Sequence, residues 1–353
     1  MLDFRPILLI TGMLLVTLAG AMLIPVIADI LFGTQNWKPF LGSSLFTASV
    51  GISLILSNRS GKITLDIRQM FVLTTLSWTS VAAFGGIPFV FADLGMSYTD
   101  AFFESMSGIT TTGSTVLSSL DSAPKGILIW RALLQWLGGI GIILMAVAIL
   151  PLLQVGGMQL FKMESSINQE KTFPRTAQIA TSITLIYFAL TLICAISLRA
   201  AGMNGFDSII HSMTTIATGG FSSHDKSIGY FESNSIQLII IIGMLFGSLP
   251  FLLYLEVAKG RVSSLFRDSQ VRTFFGIVLT GIVFITLWRS LMNNINFSDA
   301  LLETAFNSIS VITGTGYSTT NYSLWGGFAV ACLFIFMFIG GCAGSTSCGI
   351  KIF

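Results

Sequence analysis

Charged residues are scarce in this sequence of 353 residues. They make up 10% of it, against about a quarter in soluble domains. The chain has only two histidines and four cysteines, neither with metal-ligand spacing, so we expect no transition-metal site. Hydrophobic residues make up 53% of the sequence, the net charge is +2 and the mean hydropathy is +0.83. This composition excludes a soluble enzyme, a nucleic-acid-binding protein and a secreted disulfide-bonded domain. It predicts a polytopic membrane protein.

Eight apolar runs have the roughly 17–25 residues that a helix needs to cross a bilayer. They lie at about 7–30, 40–57, 70–92, 127–153, 179–198, 236–258, 273–292 and 324–340. Basic residues gather in alternate connections, which hold 12 of the 18: Arg5, Arg59, Lys62, Arg68, Lys162, Lys171, Arg175, Lys259, Arg261, Arg267, Arg272 and Lys351. Since basic segments face the cytoplasm, we expect a cytoplasmic amino terminus.

Two long connections on the opposite side, 93–126 and 199–235, each contain about a dozen moderately apolar residues. A run of that length is too short to cross the membrane and is typical of a re-entrant half-helix. Backbone that is not helical is tolerated at membrane depth only where it is buried in protein or lines a water-filled cavity. A half-helix with exposed backbone must therefore line a water-filled cavity, and these connections predict one.

Three segments align without gaps: 100–115, 207–222 and 303–318. Each copy has an acid thirteen residues before its last glycine, an isoleucine four before it and a hydroxyl-bearing residue two after it. In chain order these are Asp100, Ile109, Gly113 and Thr115, then Asp207, Ile216, Gly220 and Ser222, then Glu303, Ile312, Gly316 and Ser318. The predicted repeat is a span, a half-helix, a Thr/Gly loop and a second span.

The predicted repeat has features that favour the binding of a cation. The carbonyl end of a descending half-helix carries the negative end of the helix dipole, and loop carbonyls replace the water shell of an ion. A loop whose successive carbonyls face one way needs residues that adopt positive φ, which explains the glycines. One Thr/Gly stretch alone is more often a helix-packing face, but three aligned copies favour an ion-binding loop. The candidate ligands are Thr111, Thr112, Gly113, Thr218, Gly219, Gly220, Gly314, Thr315 and Gly316.

These stretches resemble the Trk/Ktr/HKT superfamily of potassium transporters, and most closely the Trk membrane subunit. The similarity rests on 110–115, 217–225 and 313–318, together with 135–142 and 340–351, and covers essentially the whole chain. It implies potassium uptake through a channel-like pore in the bacterial inner membrane, with potassium as substrate and no cofactor in this chain. Members with serine at the first filter glycine tend to favour sodium, so Gly113 implies a preference for potassium.

The resemblance also implies an architecture and partners. The fold is all-α, with tandem helix–pore-loop–helix repeats around a central pore and two extra amino-terminal transmembrane helices. The partners are the lipid bilayer, a second copy in a homodimer and a cytosolic nucleotide-binding, TrkA-like regulatory ring. A glycine-rich interruption of the last apolar run implies a gating loop at 340–349, although a packing turn is the plainer alternative. Its residues are Gly340, Gly341, Gly344, Ser345, Thr346 and Gly349, and Cys348 stands where the family more often has glycine.

We predict four segments: an amino-terminal helix pair (1–68), pore repeat 1 (69–178), pore repeat 2 (179–272) and pore repeat 3 (273–353) with an incomplete second helix. The family pattern has four repeats, and a fourth is not present in these residues. A truncated, non-conducting relative is therefore an alternative. A solute carrier is a weaker one, because inverted repeats would alternate in topology whereas these repeats are parallel. Coupling to protons or sodium stays open.

A few polar residues in the apolar regions need separate explanations. A membrane-embedded enzyme would place acids or histidines together at one membrane face, whereas the acids here are scattered, so we expect no enzyme.

His211, which aligns with Glu104 and Asn307, is expected to have a structural role, and His224 is expected to be solvated. Arg131 and Arg289 lie near span ends, where long side chains are expected to reach the interface.

Overall fold

A computed structural model describes residues 3–34, 36–59, 65–153, 172–293 and 295–352. The predicted topology residues Lys62, Lys162 and Lys171 lie outside the described residues. The chain divides into two units. Unit 1 comprises Met1–Thr110 and Ser114–Gln135, and unit 2 comprises Thr111–Gly113 and Trp136–Phe353.

Unit 1 is helical. Its helices are α1 (Arg5–Ala21), α2 (Leu23–Leu31), α3 (Trp37–Ser57), α4 (Ile67–Gly85), α5 (Ile87–Phe91), α6 (Tyr98–Ile109) and the first part of α7 (Lys125–Leu153). Two of its breaks have one cause, because proline lacks the N–H that would bond the carbonyl four residues earlier. Pro25 follows the break at Met22, and Pro88 follows the break at Gly86. Neither break ends the apolar run, so Arg5–Leu31 and Arg68–Phe91 remain long enough to cross a membrane.

Unit 2 contains the rest of α7 and the later elements. These are α8 (Thr172–Ala200), α9 (Gly205–Ile216), α10 (Asn234–Gly247), α11 (Phe251–Ala258), α12 (Ser263–Arg267), α13 (Ser269–Asn293), α14 (Phe297–Ile312), α15 (Gly327–Phe338), β1 (Ile339–Cys342) and β2 (Ile350–Ile352). Its core includes the fully buried side chains of Tyr187, Phe251 and Phe274. The Tyr187 hydroxyl donates to the carbonyl of Trp136, whose indole N–H donates to Thr191 at 3.0 Å. These bonds fix the second part of α7 against α8.

The predicted sixth span, 236–258, is not one helix. It consists of α10 and α11, which are bent by 97° at a short break. Pro250 stands directly before α11 and cannot continue the helical hydrogen bonding. The apolar run that predicts this span is therefore continuous in composition, but its helical backbone is broken before Phe251.

The last predicted span, 324–340, is shorter than expected. Helix α15 has 12 residues, and the chain then leaves the helix for β1, which pairs in parallel with β2. The prediction of an all-α fold missed this short pair. The described residues are otherwise mostly helical, and six of their helices are long and apolar enough to cross a membrane, or seven if the bent pair is one span. The prediction of a polytopic, mostly helical membrane protein is confirmed at this level.

The crossing of α1 and α3 in unit 1 generates a stability prediction. A Cβ atom on Gly51 would lie 2.9 Å from the carbonyl oxygen of Gly12, closer than such atoms approach. Gly51→Ala should therefore push the two helices apart and destabilise the protein by about 1–3 kcal/mol. The matched control is Gly42→Ala in the same helix, where a Cβ meets no atom within 4 Å. The control should be neutral or stabilising, since alanine favours helix over glycine.

The measurement is the midpoint of thermal unfolding of each variant in detergent. A lower midpoint for Gly51→Ala than for Gly42→Ala is expected. Equal midpoints would show that the two helices separate without cost.

Candidate ion-binding site

Three short helices each end at the isoleucine that recurs in the sequence alignment. Helix α6 ends at Ile109, α9 at Ile216 and α14 at Ile312, four residues before the last glycine of each copy. We name the segments that follow loop 1 (110–115), loop 2 (217–222) and loop 3 (313–318). The sequence pattern thus marks the end of each helix.

The recurrent acid has two different roles. In α6 and α9 it is the third helical residue, where Asp100 and Asp207 donate their backbone N–H groups to the capping side chains of Ser97 and Asn204. A carboxylate there is stabilised by the positive end of the helix dipole. Helix α14 begins about two turns before Glu303, and this acid instead pairs with Arg289 at 2.5 Å.

Positive φ angles occur at two positions in every loop. The last glycines, Gly113, Gly220 and Gly316, have φ of 81°, 77° and 81°, as expected from their place in the repeat. Two residues earlier, Thr111 and Thr218 have φ of 56° and 48°, and the aligned Gly314 has φ of 74°. Positive φ in a β-branched residue is a strained outlier, and such residues cluster at functional sites. We did not predict the positive φ angles of these two candidate ligands, although glycine at the aligned position of loop 3 is a signal for them.

The three loops lie against one another within unit 2. A Cβ atom on Gly113 would overlap the carbonyl oxygen of Gly219 and would lie 3.5 Å from the carbonyl oxygen of Thr315. A Cβ atom on Gly220 would overlap that same oxygen of Thr315. At Gly316 a Cβ atom would meet no described atom within 4 Å. The glycine of one loop therefore faces the carbonyl that precedes the last glycine of the next loop, and backbone oxygens from different loops come close together.

The segment 340–349 contacts these loops. The Thr346 hydroxyl lies 3.1 Å from the hydroxyl of Thr218, 3.1 Å from the carbonyl oxygen of Ile216 and 2.9 Å from that of Gly247. Its backbone N–H donates to the same Gly247 carbonyl at 3.1 Å. Thr346 is fully buried. It therefore joins loop 2, the carboxyl end of α9 and the break after α10.

Cys348 makes the contacts to the other two loops. Its sulfur lies 3.9 Å from the carbonyl oxygen of Thr111, and its Cβ lies 2.7 Å from where a Cβ on Gly314 would stand.

Within the segment 340–349, the candidate gate residues contact one another across a turn. Gly344 and Gly349 have positive φ, Gly340 packs against the backbone of Cys348 and Gly349, and Ser345 donates to the carbonyl of Cys342 at 2.6 Å. Gly341 donates its N–H to Ser347.

Two arginines and one histidine are placed otherwise than expected. Arg131 and Arg289 are 1% and 2% exposed and pair with Glu104 and Glu303, so they do not reach the interface through their side chains. A buried arginine needs a partner because desolvation of its charge is costly. His224 is only partly exposed and has protein partners: it bonds the Asp207 carboxylate at 3.1 Å, and its ring stacks on Tyr230 at 3.6 Å between ring centroids. His211 has the expected structural role, with both ring nitrogens bonded.

Among the described residues, no group of three or more His, Cys, Asp or Glu side chains is arranged to hold a metal ion. The loops offer backbone carbonyls and threonine hydroxyls instead. Such neutral oxygen ligands suit a dehydrated monovalent cation better than a transition metal.

The sequence and the fold of this chain both match a known family. Residues 38–353 match the family model described as cation transport protein, TrkH. The chain is 42% identical over 352 residues to the Trk system potassium uptake protein TrkI of Halomonas elongata, covering 99% of this chain and 71% of the relative. The chain belongs to the TrkH family.

Other relatives of this TrkH-family chain give the same result. It is 41% identical over 360 residues to the Trk system potassium uptake protein TrkH of Escherichia coli, covering 99% of this chain and 74% of the relative. The crystal structure of the potassium transporter TrkH from Vibrio parahaemolyticus matches with a TM-score of 0.92 at 37% identity. That match covers 99% of this chain and 73% of the solved chain.

The geometry of the TrkH-family loops generates a second prediction. Gly220→Ala would place a Cβ over the Thr315 carbonyl and would force alanine to φ near +77°, which alone costs about 1–2 kcal/mol. The matched control is Gly205→Ala at the start of α9, where a Cβ has open space. Thermal unfolding of the purified variants should show a lower midpoint for Gly220→Ala only. An unchanged midpoint for this variant would mean that loops 2 and 3 are farther apart than described.

Proposed function

We propose that this chain is the membrane subunit of a Trk-type potassium uptake system, and that potassium passes along a path lined by loops 1, 2 and 3. One observation carries the proposal: three aligned glycine loops meet through their backbone carbonyls, with the segment 340–349 against them. The relatives are named as potassium uptake proteins, which supports potassium as the substrate. Transport of this kind is not an enzymatic reaction.

The chemistry of the loops supports a monovalent cation. The carboxyl ends of α6, α9 and α14 precede the loops directly, and the negative ends of their dipoles favour a cation there. Conduction requires binding that is strong enough to admit an ion and weak enough to release it. The nine loop residues supply only hydroxyls and carbonyls, which meets this requirement. We assign the potassium ligands to Thr111, Thr112, Gly113, Thr218, Gly219, Gly220, Gly314, Thr315 and Gly316.

The proposed architecture is one of tandem repeats. Each repeat has a crossing helix, a half-helix, a loop and a second apolar helix, over 69–178, 179–272 and 273–353, and the second helix of the last repeat is incomplete. Residues 1–68 form an additional helix pair. The consistent order of the glycine contacts, loop 1 to loop 2 and loop 2 to loop 3, supports a rotational arrangement of the loops about a common path.

The segment 340–349 is the proposed gate, with Gly340, Gly341, Gly344, Ser345, Thr346 and Gly349 as its residues. Thr346 ties it to loop 2, and Cys348 lies against loops 1 and 3. Movement of this segment would open the path below the loops. The break between α10 and α11 supports this role, because its backbone groups bond to the same segment.

We place the protein in the bacterial inner membrane with a cytoplasmic amino terminus, on the distribution of basic residues. The cytoplasmic basic connections are the proposed docking surface for a TrkA-like nucleotide-binding ring. The protein is proposed to work as a homodimer. The homodimer and the regulatory ring rest on the resemblance to Trk membrane subunits.

The filter assignment is tested with Gly113→Ser in the full-length protein. The new side chain would displace the Gly219 carbonyl and change the spacing of the oxygens, so the ratio of potassium to sodium uptake should fall. The measurement is uptake of both ions in a bacterium that lacks its own potassium uptake systems. The control is Gly95→Ser, which has a similar φ of 66° but open space around it. An unchanged ratio in Gly113→Ser contradicts the filter assignment.

The gate assignment is tested through Cys348. A small methanethiosulfonate reagent that modifies this thiol should fill the space against loops 1 and 3 and block most of the potassium flux in inside-out vesicles. Cys194 and Cys342 are buried, whereas Cys332 and Cys348 are partly accessible. Cys348→Gly should therefore remove the block and Cys332→Ser should keep it. A block that persists in Cys348→Gly would place the sensitive thiol elsewhere.

A further inference from the structure

In each of α6, α9 and α14, one side chain forms a hydrogen bond to a residue at or just beyond the end of the loop that follows the helix. This position is nine residues before the last glycine and is occupied by Glu104, His211 and Asn307. All three side chains are fully buried. The residue type differs in every copy, so sequence similarity alone does not reveal a common role.

The contacts in repeat 1 are made by a carboxylate. Thr115 donates to both oxygens of Glu104, at 2.9 and 3.0 Å, and the backbone N–H of Val116 donates to one of them at 3.0 Å. Arg131 balances the charge through Nε at 2.7 Å. The carboxylate therefore holds the last residue of loop 1 and the residue that follows it.

In repeat 2 an imidazole makes the equivalent contact. His211 Nδ1 lies 2.9 Å from the carbonyl oxygen of Asp207, which can only accept, so Nδ1 carries the proton. In the neutral ring Nε2 then accepts from the hydroxyl of Ser222 at 3.0 Å. The Ser222 oxygen also accepts the N–H of His224, two residues on, as Thr115 accepts the N–H of Leu117.

In repeat 3 an amide makes the contact, displaced by one residue. Asn307 Nδ2 donates to the hydroxyl of Thr319 at 2.8 Å, and Asn307 Oδ1 accepts the backbone N–H of Thr319 at 3.3 Å. Like Glu104, it therefore holds both a hydroxyl and a backbone group. We call these three contacts the loop clasps: Glu104–Thr115, His211–Ser222 and Asn307–Thr319.

We propose that Glu104, His211 and Asn307 are positioning residues for ion selection, each fixing the span of one loop by clasping its two ends. This inference rests on the proposed function. Each clasp closes 11 or 12 residues of chain, a stretch that contains the whole loop. With both ends fixed, the carbonyls keep the spacing that suits the larger ion. A loop that is released at one end can move its carbonyls closer together and bind a smaller ion.

The test uses both partners of the two neutral clasps, which avoids leaving Arg131 unpaired. The variants are His211→Leu, Ser222→Ala and their combination, and Asn307→Leu, Thr319→Val and their combination. Each single variant should lower the ratio of potassium to sodium uptake by about 3- to 10-fold, as expected for the loss of one hydrogen bond. Each combination should lower it no further than the more severe of its two singles, because loss of either partner already removes the side-chain contact between them.

Two controls separate positioning from stability. Thr191→Val removes a buried hydrogen bond to Trp136 that has no connection to a loop, so it should lower the unfolding midpoint without changing the ratio. His211→Gln can still accept from Ser222 and should keep the ratio near that of the unmodified protein. Ratios are compared only among variants of equal abundance in the membrane.

The outcomes distinguish the clasps from the filter itself. If Gly113→Ser lowers the ratio and the single clasp variants do not, the clasps have no role in selection and the proposed function stands. Additive effects in the combinations also overturn the inference. If Gly113→Ser leaves the ratio unchanged, the filter assignment is wrong, and so is the role in ion selection that we propose for the clasps.

Discussion

The backbone groups that are released where helices break must find partners, and this constraint underlies the rest of the structure. Within a membrane each unsatisfied group costs several kcal/mol. The break between α10 and α11 frees the carbonyls of Gly247 and Ser248, which accept the N–H groups of Thr346 and Cys342. In return Gly344 accepts the N–H of Phe251. The bend and the segment 340–349 therefore exist together, because each supplies the hydrogen bonds that the other lacks. A movement of that segment must break or exchange these bonds.

The same constraint acts on the loops, where it is combined with strain. Thr111 and Thr218 hold positive φ at a cost of about 1–3 kcal/mol each, and such angles persist only where the surroundings determine them. The loops are fixed from several directions. Ser107 and Ser310 donate to the carbonyls of Ser114 and Tyr317, at 2.6 and 2.7 Å, in addition to the clasps. These two hydrogen bonds tie the helices that precede loops 1 and 3 to carbonyls near the ends of those loops.

Much of this arrangement could be predicted from the sequence because it is local and repeated. The aligned isoleucines mark the ends of α6, α9 and α14, and the last glycines have the expected positive φ. What could not be predicted depends on distant partners. Arg131 is buried because Glu104, 27 residues away in the chain, turns toward it, and neither residue alone indicates this. The bend at Pro250 was missed for another reason: hydropathy reports the apolar composition and not whether the backbone is continuous.

The difference in residue type among the clasps has a consequence for charge. Glu104 carries a charge that Arg131 balances at 2.7 Å, while His211 and Asn307 hold their loops without a carboxylate. No clasp therefore adds an uncompensated negative charge beside the loops. A bare carboxylate in a low-dielectric site would bind a cation strongly and slow its release, whereas carbonyl dipoles bind it more weakly. Under the proposed function, the clasps would determine where the carbonyls lie, and the carbonyls alone would determine how strongly the ion is held. This separation of geometry from charge is what rapid passage of a monovalent cation requires.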